Sequence, residues 1–243
     1  MSKVIAVLGA GTGLGVSVAR RFGREGFRVA LVARRRERLD ALAEELAGDG
    51  IEAVGFDADL SRPADVPALL ARIRERFGRI DVIEYGPVST EQSLAPAVQT
   101  DADLLQKNLP VFLLTPVEVV RAALPEWIER GEGAFLLTTG VTAVRPAAGL
   151  SGVAPLGAAA RNHLHALHGE LVGTGIYAGT LSVGAGIARS ELSALFTQTE
   201  NASSAGAAES VPEFPVVDPD DLAEQYWDMY TKRDRIEQLY PEA

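Results

Sequence analysis

Lys3-Val4-Ile5-Ala6-Val7-Leu8, followed by Gly9-Ala10-Gly11-Thr12-Gly13-Leu14-Gly15, decides the fold of this 243-residue chain. A short apolar run rich in β-branched residues leads into four alternating glycines, and an amphipathic stretch from Val16 to Phe22 then opens. That order reads as strand, tight turn, helix. Glycine suits such a turn because a side chain would hold an anion away from the helix N-terminus. There, free backbone N–H groups and the macrodipole favour negative charge. The stretch therefore predicts a phosphate cradle on an N-terminal βα unit.

The glycine spacing narrows this reading. The pattern G-x-G-x-x-G fails, since its last position falls on Leu14 counted from Gly9 and on Val16 counted from Gly11. What fits is G-x-x-x-G-x-G on Gly9, Gly13 and Gly15, and in that spacing the chain resembles the short-chain dehydrogenase/reductase family along nearly its whole length. The resemblance implies an α/β fold, a Rossmann-type doubly wound parallel sheet of six or seven strands flanked by helices. It also implies one domain over residues 1–243 with a lid at about 190–216, and a dinucleotide held by Gly9, Gly11, Thr12, Gly13, Leu14 and Gly15. A plain chain reversal is the alternative for the turn alone, and its place directly after an N-terminal strand argues against that.

Composition agrees with one large globular domain: 47% of residues are hydrophobic and 23% charged. The apolar runs are too short to span a bilayer, and the start lacks the cationic region and cleavage site of a signal peptide. The absence of cysteine excludes disulfides, thiolate metal sites and cysteine nucleophiles, and fits a cytoplasmic address. A net charge of −10 opposes nucleic acid and anionic membranes as partners, which leaves a small-molecule substrate.

Phe27 to Ala33 reads as a second buried strand. An NAD site of this type carries an acid about 20 residues beyond the glycine turn, yet here that region offers Arg34 and Arg35. A guanidinium pairs with a 2′-phosphate, so the expected cofactor is NADP(H), with Arg34 first and Arg35 second. The alternative is a solvated helix start. Ile51 to Phe56 gives strand three, and the resemblance makes Asp59, with Leu60 beside it, a contact on the adenine side; Asp59 could equally stabilise the next helix start. At the end of strand four the family's Asn-Ala-Gly type motif is replaced by Glu84-Tyr85-Gly86-Pro87. Gly86 lets backbone pass close to the cofactor. Tyr85 is either a proton donor near the nicotinamide or a packing residue.

Asp101 to Arg130 reads as a long helix bent near Pro110 and Pro116. On it Asn108 matches the family's helix asparagine, which supports a proton-relay water. Gly133 to Thr139 is strand five, and Thr138 or Thr139 stands for the serine that positions a substrate carbonyl. The family's Tyr-x-x-x-Lys motif, by contrast, lands on Val153 to Gly157, and Ser151 to Ala160 holds neither tyrosine nor lysine. His163, His165 and His168 follow on the same helix without the carboxylate or cysteine support of a metal site, so no metal is expected. Ile187, after strand six, should reach the cofactor through its backbone. A final helix starts at Asp218, and the lack of an apolar run after it argues against a seventh strand. Three functions remain open: an NADP(H)-dependent oxidoreductase with a non-standard active site, an inactive cofactor-binding pseudo-enzyme, or a non-redox enzyme such as a dehydratase, isomerase or cyclase. By the same resemblance the helix pair near Asn108 and His165 forms a subunit interface, giving a homodimer or homotetramer.

Overall fold

Strands buried on both faces need near-continuous apolar runs, and β1 (Val4–Leu8), β2 (Arg28–Ala33) and β6 (Ile176–Val183) supply them. The computed structural model describes residues 2–88, 95–191 and 215–241. Seven parallel strands form one sheet in the order β3-β2-β1-β4-β5-β6-β9, with β3 at Ala53–Asp57, β4 at Val82–Tyr85, β5 at Gly133–Gly140 and β9 at Glu237–Tyr240. A separate two-stranded pairing joins β7 (Gly186–Ile187) to β8 (Val216–Val217). This is the Rossmann-type doubly wound α/β arrangement expected from the sequence.

The helices that connect these strands fill both faces. Alternate residues of β1 divide the core: Val4, Ala6 and Leu8 join the cluster containing α3 (Val66–Phe77), α5 (Thr115–Arg130) and α6 (Ala154–Glu170). Ile5 and Val7 join the cluster of α1 (Leu14–Arg24), α2 (Arg36–Gly48) and α7 (Pro219–Lys232). Strand order reverses between β1 and β4, and a doubly wound sheet binds its ligand in the crevice outside the carboxyl ends at such a point.

The long helix is interrupted near Pro110, where the sequence predicts a break or bend. It runs as α4 (Ala102–Leu109), a π-helical turn over Pro110–Leu114, and α5, because Pro110 brings no N–H to the α-helical ladder. The seventh strand corrects the sequence reading. Glu237-Gln238-Leu239-Tyr240 is not apolar, but β9 pairs with β6 and Glu237 is held there by Arg161 and Ser182. The lid expected at about 190–216 falls almost wholly outside the described residues.

Candidate functional site

The glycine turn sits at the switch point, and each glycine has its own reason. Gly9 has φ +107°, and a Cβ there would lie 2.6 Å from the Pro87 backbone after β4. At Gly15 a Cβ would meet the Ala10 backbone at 2.8 Å, so α1 could not start so close to β1. Gly13 faces Ser190, 3.0 Å from its missing Cβ, and Gly11 has open space in front of it. No side chain caps α1 at Gly13 and no acid lies in its first turn, which keeps the positive helix end available to an anion. Leu14 buries its side chain beneath the turn. Thr12 donates its hydroxyl to the carbonyl of Arg189 at 2.7 Å, tying the turn to the segment after β7. Ile187 lies half-buried in that short strand.

Arg34, at the end of β2, is exposed and forms no ion pair with another described residue. Its neighbour Arg35 pairs with Glu191 at 2.7 Å, and Arg38 reaches the same carboxylate. Asp59 lies within the field of Arg34. Burial alone would raise its pKa, but hydrogen bonds from the Ser61 N–H and hydroxyl, together with Arg34 and Arg62, bring it below the ordinary carboxylate value. The carboxylate thus closes a local turn with Ser61 and does not cap the helix that follows, whose start at Pro63–Asp65 has no side-chain cap. Leu60 places its side chain in the core and its carbonyl accepts from the Thr115 hydroxyl at 2.7 Å.

At the carboxyl ends of β4 and β5 the structure redirects several expected residues. Tyr85 is only 2% exposed, and its hydroxyl donates to the Val111 carbonyl at 2.6 Å. Burial raises its pKa, and with its proton given to Val111 the side chain packs in the core. Thr139 turns the other way from Thr138: its hydroxyl lies 2.9 Å from Ser182, which itself donates to Glu237 at 2.8 Å. Since the single Ser182 proton goes to Glu237, Thr139 donates to Ser182 and is engaged inside the sheet. Asn108 is buried at the end of α4 and donates to the Gly152 carbonyl at 3.1 Å. It thereby fixes the chain immediately before Val153, where α6 begins without the expected tyrosine. Lys3, Lys107 and Lys232 are the lysines of the chain, and none stands four residues after a tyrosine.

Of the two threonines, Thr138 is partly exposed and Thr139 is buried. Its hydroxyl contacts the Glu84 carboxyl at 2.7 Å and the Tyr226 hydroxyl at 2.6 Å, and it lies directly beside Gly86, whose missing Cβ would be 2.7 Å from it. Glu84 is 2% exposed, and burial pushes its pKa up to about 8 against the opposing hydrogen bond from Thr138. Sequence reasoning noted Glu84 only as part of a divergent motif. The signal was present, since one carboxylate interrupts the run Val82-Ile83-Glu84-Tyr85 in a strand that must be buried on both faces.

Arg189 pairs with Asp218 at 2.8 Å and Asp220 at 3.0 Å, and is thereby held against the start of α7. His168 bonds the Ala178 carbonyl through Nδ1 at 2.7 Å, and burial lowers the pKa of His165. Among the described residues no three metal-ligating side chains converge, and no helix is long and apolar enough to cross a membrane.

A family model described as short chain dehydrogenase matches residues 3–200. The chain is 30% identical to a short chain dehydrogenase from Pseudocercospora fijiensis over 75% of its own length and 59% of that protein. It is 32% identical to a fatty acyl-CoA reductase from Mycobacterium tuberculosis, over 54% of its own length and 45% of that protein. It thus spans only about half the length of the curated relatives it matches. Among solved structures it is similar to an L-sorbose reductase from Gluconobacter frateurii in complex with NADPH and L-sorbose, with a TM-score of 0.85 and 20% identity over 98% of this chain and 94% of that one. With the family model covering most of the sequence, on a sheet whose order and switch point agree with it, the chain belongs to the short-chain dehydrogenase family.

Proposed function

We propose that this chain is an NADP(H)-dependent oxidoreductase with a non-standard active site, acting on a small organic substrate. The observation that carries the reading is Arg34: an exposed guanidinium without an ion-pair partner among the described residues, at the end of β2 and beside the glycine turn. The residues fit such a cofactor. The open space before Gly11 and the uncapped start of α1 accept a pyrophosphate, and Arg34, with Arg35, accepts a 2′-phosphate. Gly86, half-buried against Thr138, leaves backbone-close room on the β4–β5 side. When bound, NADP(H) supplies or accepts the hydride, and the protein contributes orientation and proton handling. NADPH in the complex of the structurally similar L-sorbose reductase supports the reading, and the cysteine-free sequence supports a cytoplasmic setting.

The test is a titration of the full chain with NADPH and NADH, followed by nicotinamide fluorescence and by thermal stability, since a ligand that binds only the native state raises its stability. NADPH should bind more tightly than NADH. Arg34→Asp should lower that preference by about tenfold or more, the scale of one charge-assisted contact. An unchanged ratio would sink the 2′-phosphate assignment. A second reading, a cofactor-binding protein without turnover, is favoured by the missing tyrosine and lysine between Ser151 and Ala160. Tight NADPH binding without reduction of any carbonyl, imine or activated alkene would support it.

A further inference from the structure

Arg189, Ser190 and Glu191 follow β7 and touch the glycine turn and the arginines after β2 at successive points. The Arg189 carbonyl accepts the Thr12 hydroxyl at 2.7 Å. Ser190 stands against Gly13, its Cβ 3.0 Å from the one that glycine lacks. Glu191 carries its carboxylate to Arg35 at 2.7 Å, and Arg38 reaches the same oxygen. This strap is anchored from its other side. Ala188 donates to the Val217 carbonyl at 2.9 Å beside the β7–β8 pairing, and Arg189 pairs with Asp218 and Asp220 at the start of α7. The Arg189 backbone is left-handed, with φ +61°, a conformation that a non-glycine residue holds only where its surroundings impose it.

The charges at the end of the strap do not balance. Two guanidiniums, Arg35 and Arg38, share the single carboxylate of Glu191, which leaves one positive charge over. A phosphate monoester carries about two negative charges at neutral pH and three acceptor oxygens, so it satisfies such a pair better than a carboxylate does. We propose that Glu191 is an internal competitor for the cofactor 2′-phosphate and thereby sets how strongly the site prefers NADP(H) to NAD(H). The phosphate takes Arg35 and Arg38 from the carboxylate, whereas a cofactor without that phosphate leaves Glu191 where it is. The side chains of Arg35, Arg38 and Glu191 are 59%, 47% and 41% exposed, so water and ligand reach the pair without any unfolding. Exposed ion pairs are individually weak, which makes the exchange reversible. This deepens the NADP(H) reading above and rests on it, adding Arg38 to the phosphate-binding arginines and giving Glu191 a part in specificity.

The experiment titrates the full chain with adenosine 2′,5′-bisphosphate and with 5′-AMP in a calorimeter, two probes that differ only in the 2′-phosphate. The proteins are wild type, Glu191→Gln, and Glu191→Gln combined with Arg38→Gln. Wild type should prefer the bisphosphate. Glu191→Gln should bind the bisphosphate about fivefold more tightly, the upper scale of an exposed ion pair, and 5′-AMP within about twofold of wild type. Adding Arg38→Gln should abolish the gain for the bisphosphate and leave 5′-AMP unchanged, and the 5′-AMP titration shows that each variant keeps its fold at the site. Equal tightening for both probes would mean that Glu191 only holds the strap over the turn, and it overturns the competitor role. A wild-type preference for the bisphosphate that is unaltered in Glu191→Gln overturns that role alone and leaves the NADP(H) assignment standing. The absence of any preference in both proteins removes the NADP(H) assignment and the competitor with it.

Discussion

Glu84 stands out among single residues because a carboxyl group sits where the strand needs an apolar side chain. Desolvation penalises its charged form, so folding favours the proton. The pH consequence has a definite sign. The folded pKa of about 8 exceeds the unfolded value near 4.5, so the unfolded chain releases the proton first. The stability tied to the neutral carboxyl is full below the unfolded value and is lost as pH rises toward the folded one. The total is roughly 5 kcal/mol at about 1.4 kcal/mol per pH unit. Glu84→Gln lacks this loss, and chemical denaturation between pH 5 and pH 8 should show the variant gaining on wild type as pH rises. A constant difference would show that Glu84 is ionised in the native protein. Tyr85, next in sequence, has the opposite fate: one residue further along the strand faces the other side of the sheet, where its ring packs 6.4 Å from Phe135.

Among the elements, β9 shows how an ion pair can complete a sheet. Its first residue, Glu237, has a side chain only 10% exposed, and it is bound by Arg161 of α6 and by Ser182 of β6. Burial would raise the Glu237 pKa, but those two partners hold it below the ordinary carboxylate range. Removing one member of such a pair leaves a desolvated charge, so Arg161→Ala should destabilise the protein by about 3 kcal/mol in a denaturant titration. Adding Glu237→Gln should restore part of that loss. If Arg161→Ala is neutral, β9 is held by its backbone ladder alone. The same network reaches Thr139, which explains why this threonine is unavailable to the crevice.

For the whole molecule, the reversal of strand order between β1 and β4 brings the glycine turn, Arg34, Gly86 and Thr138 to one end of the sheet. Asp81 at the opposite end is structural: it accepts from the Val4 N–H at 2.8 Å and pairs with Arg79. The expectation of a homodimer or homotetramer belongs to this scale and is checked by sedimentation equilibrium at micromolar concentration. A monomer there would remove α5 and α6 as an interface. No change in mass on adding NADPH is expected, since the switch-point crevice and the outer helix faces are separate surfaces.

The sequence by itself determined the βα unit at Val4–Arg24, the glycine spacing, the arginines after β2, the bend at Pro110 and the lack of a Tyr-x-x-x-Lys motif. These follow from periodicity, ring and backbone sterics, and residue identity within a few positions. Only the tertiary structure decided that Tyr85 packs, that Thr138 and Thr139 serve opposite faces, that Arg189 turns to Asp218, and that a polar tetrapeptide forms the seventh strand. In each case the partner is distant in sequence: Thr138 meets Glu84 across 54 residues and Tyr226 across 88. A buried carboxyl finds its protonation state, and a threonine hydroxyl its direction, from groups that strand register and helix packing bring together, and those contacts have no local signature in the chain.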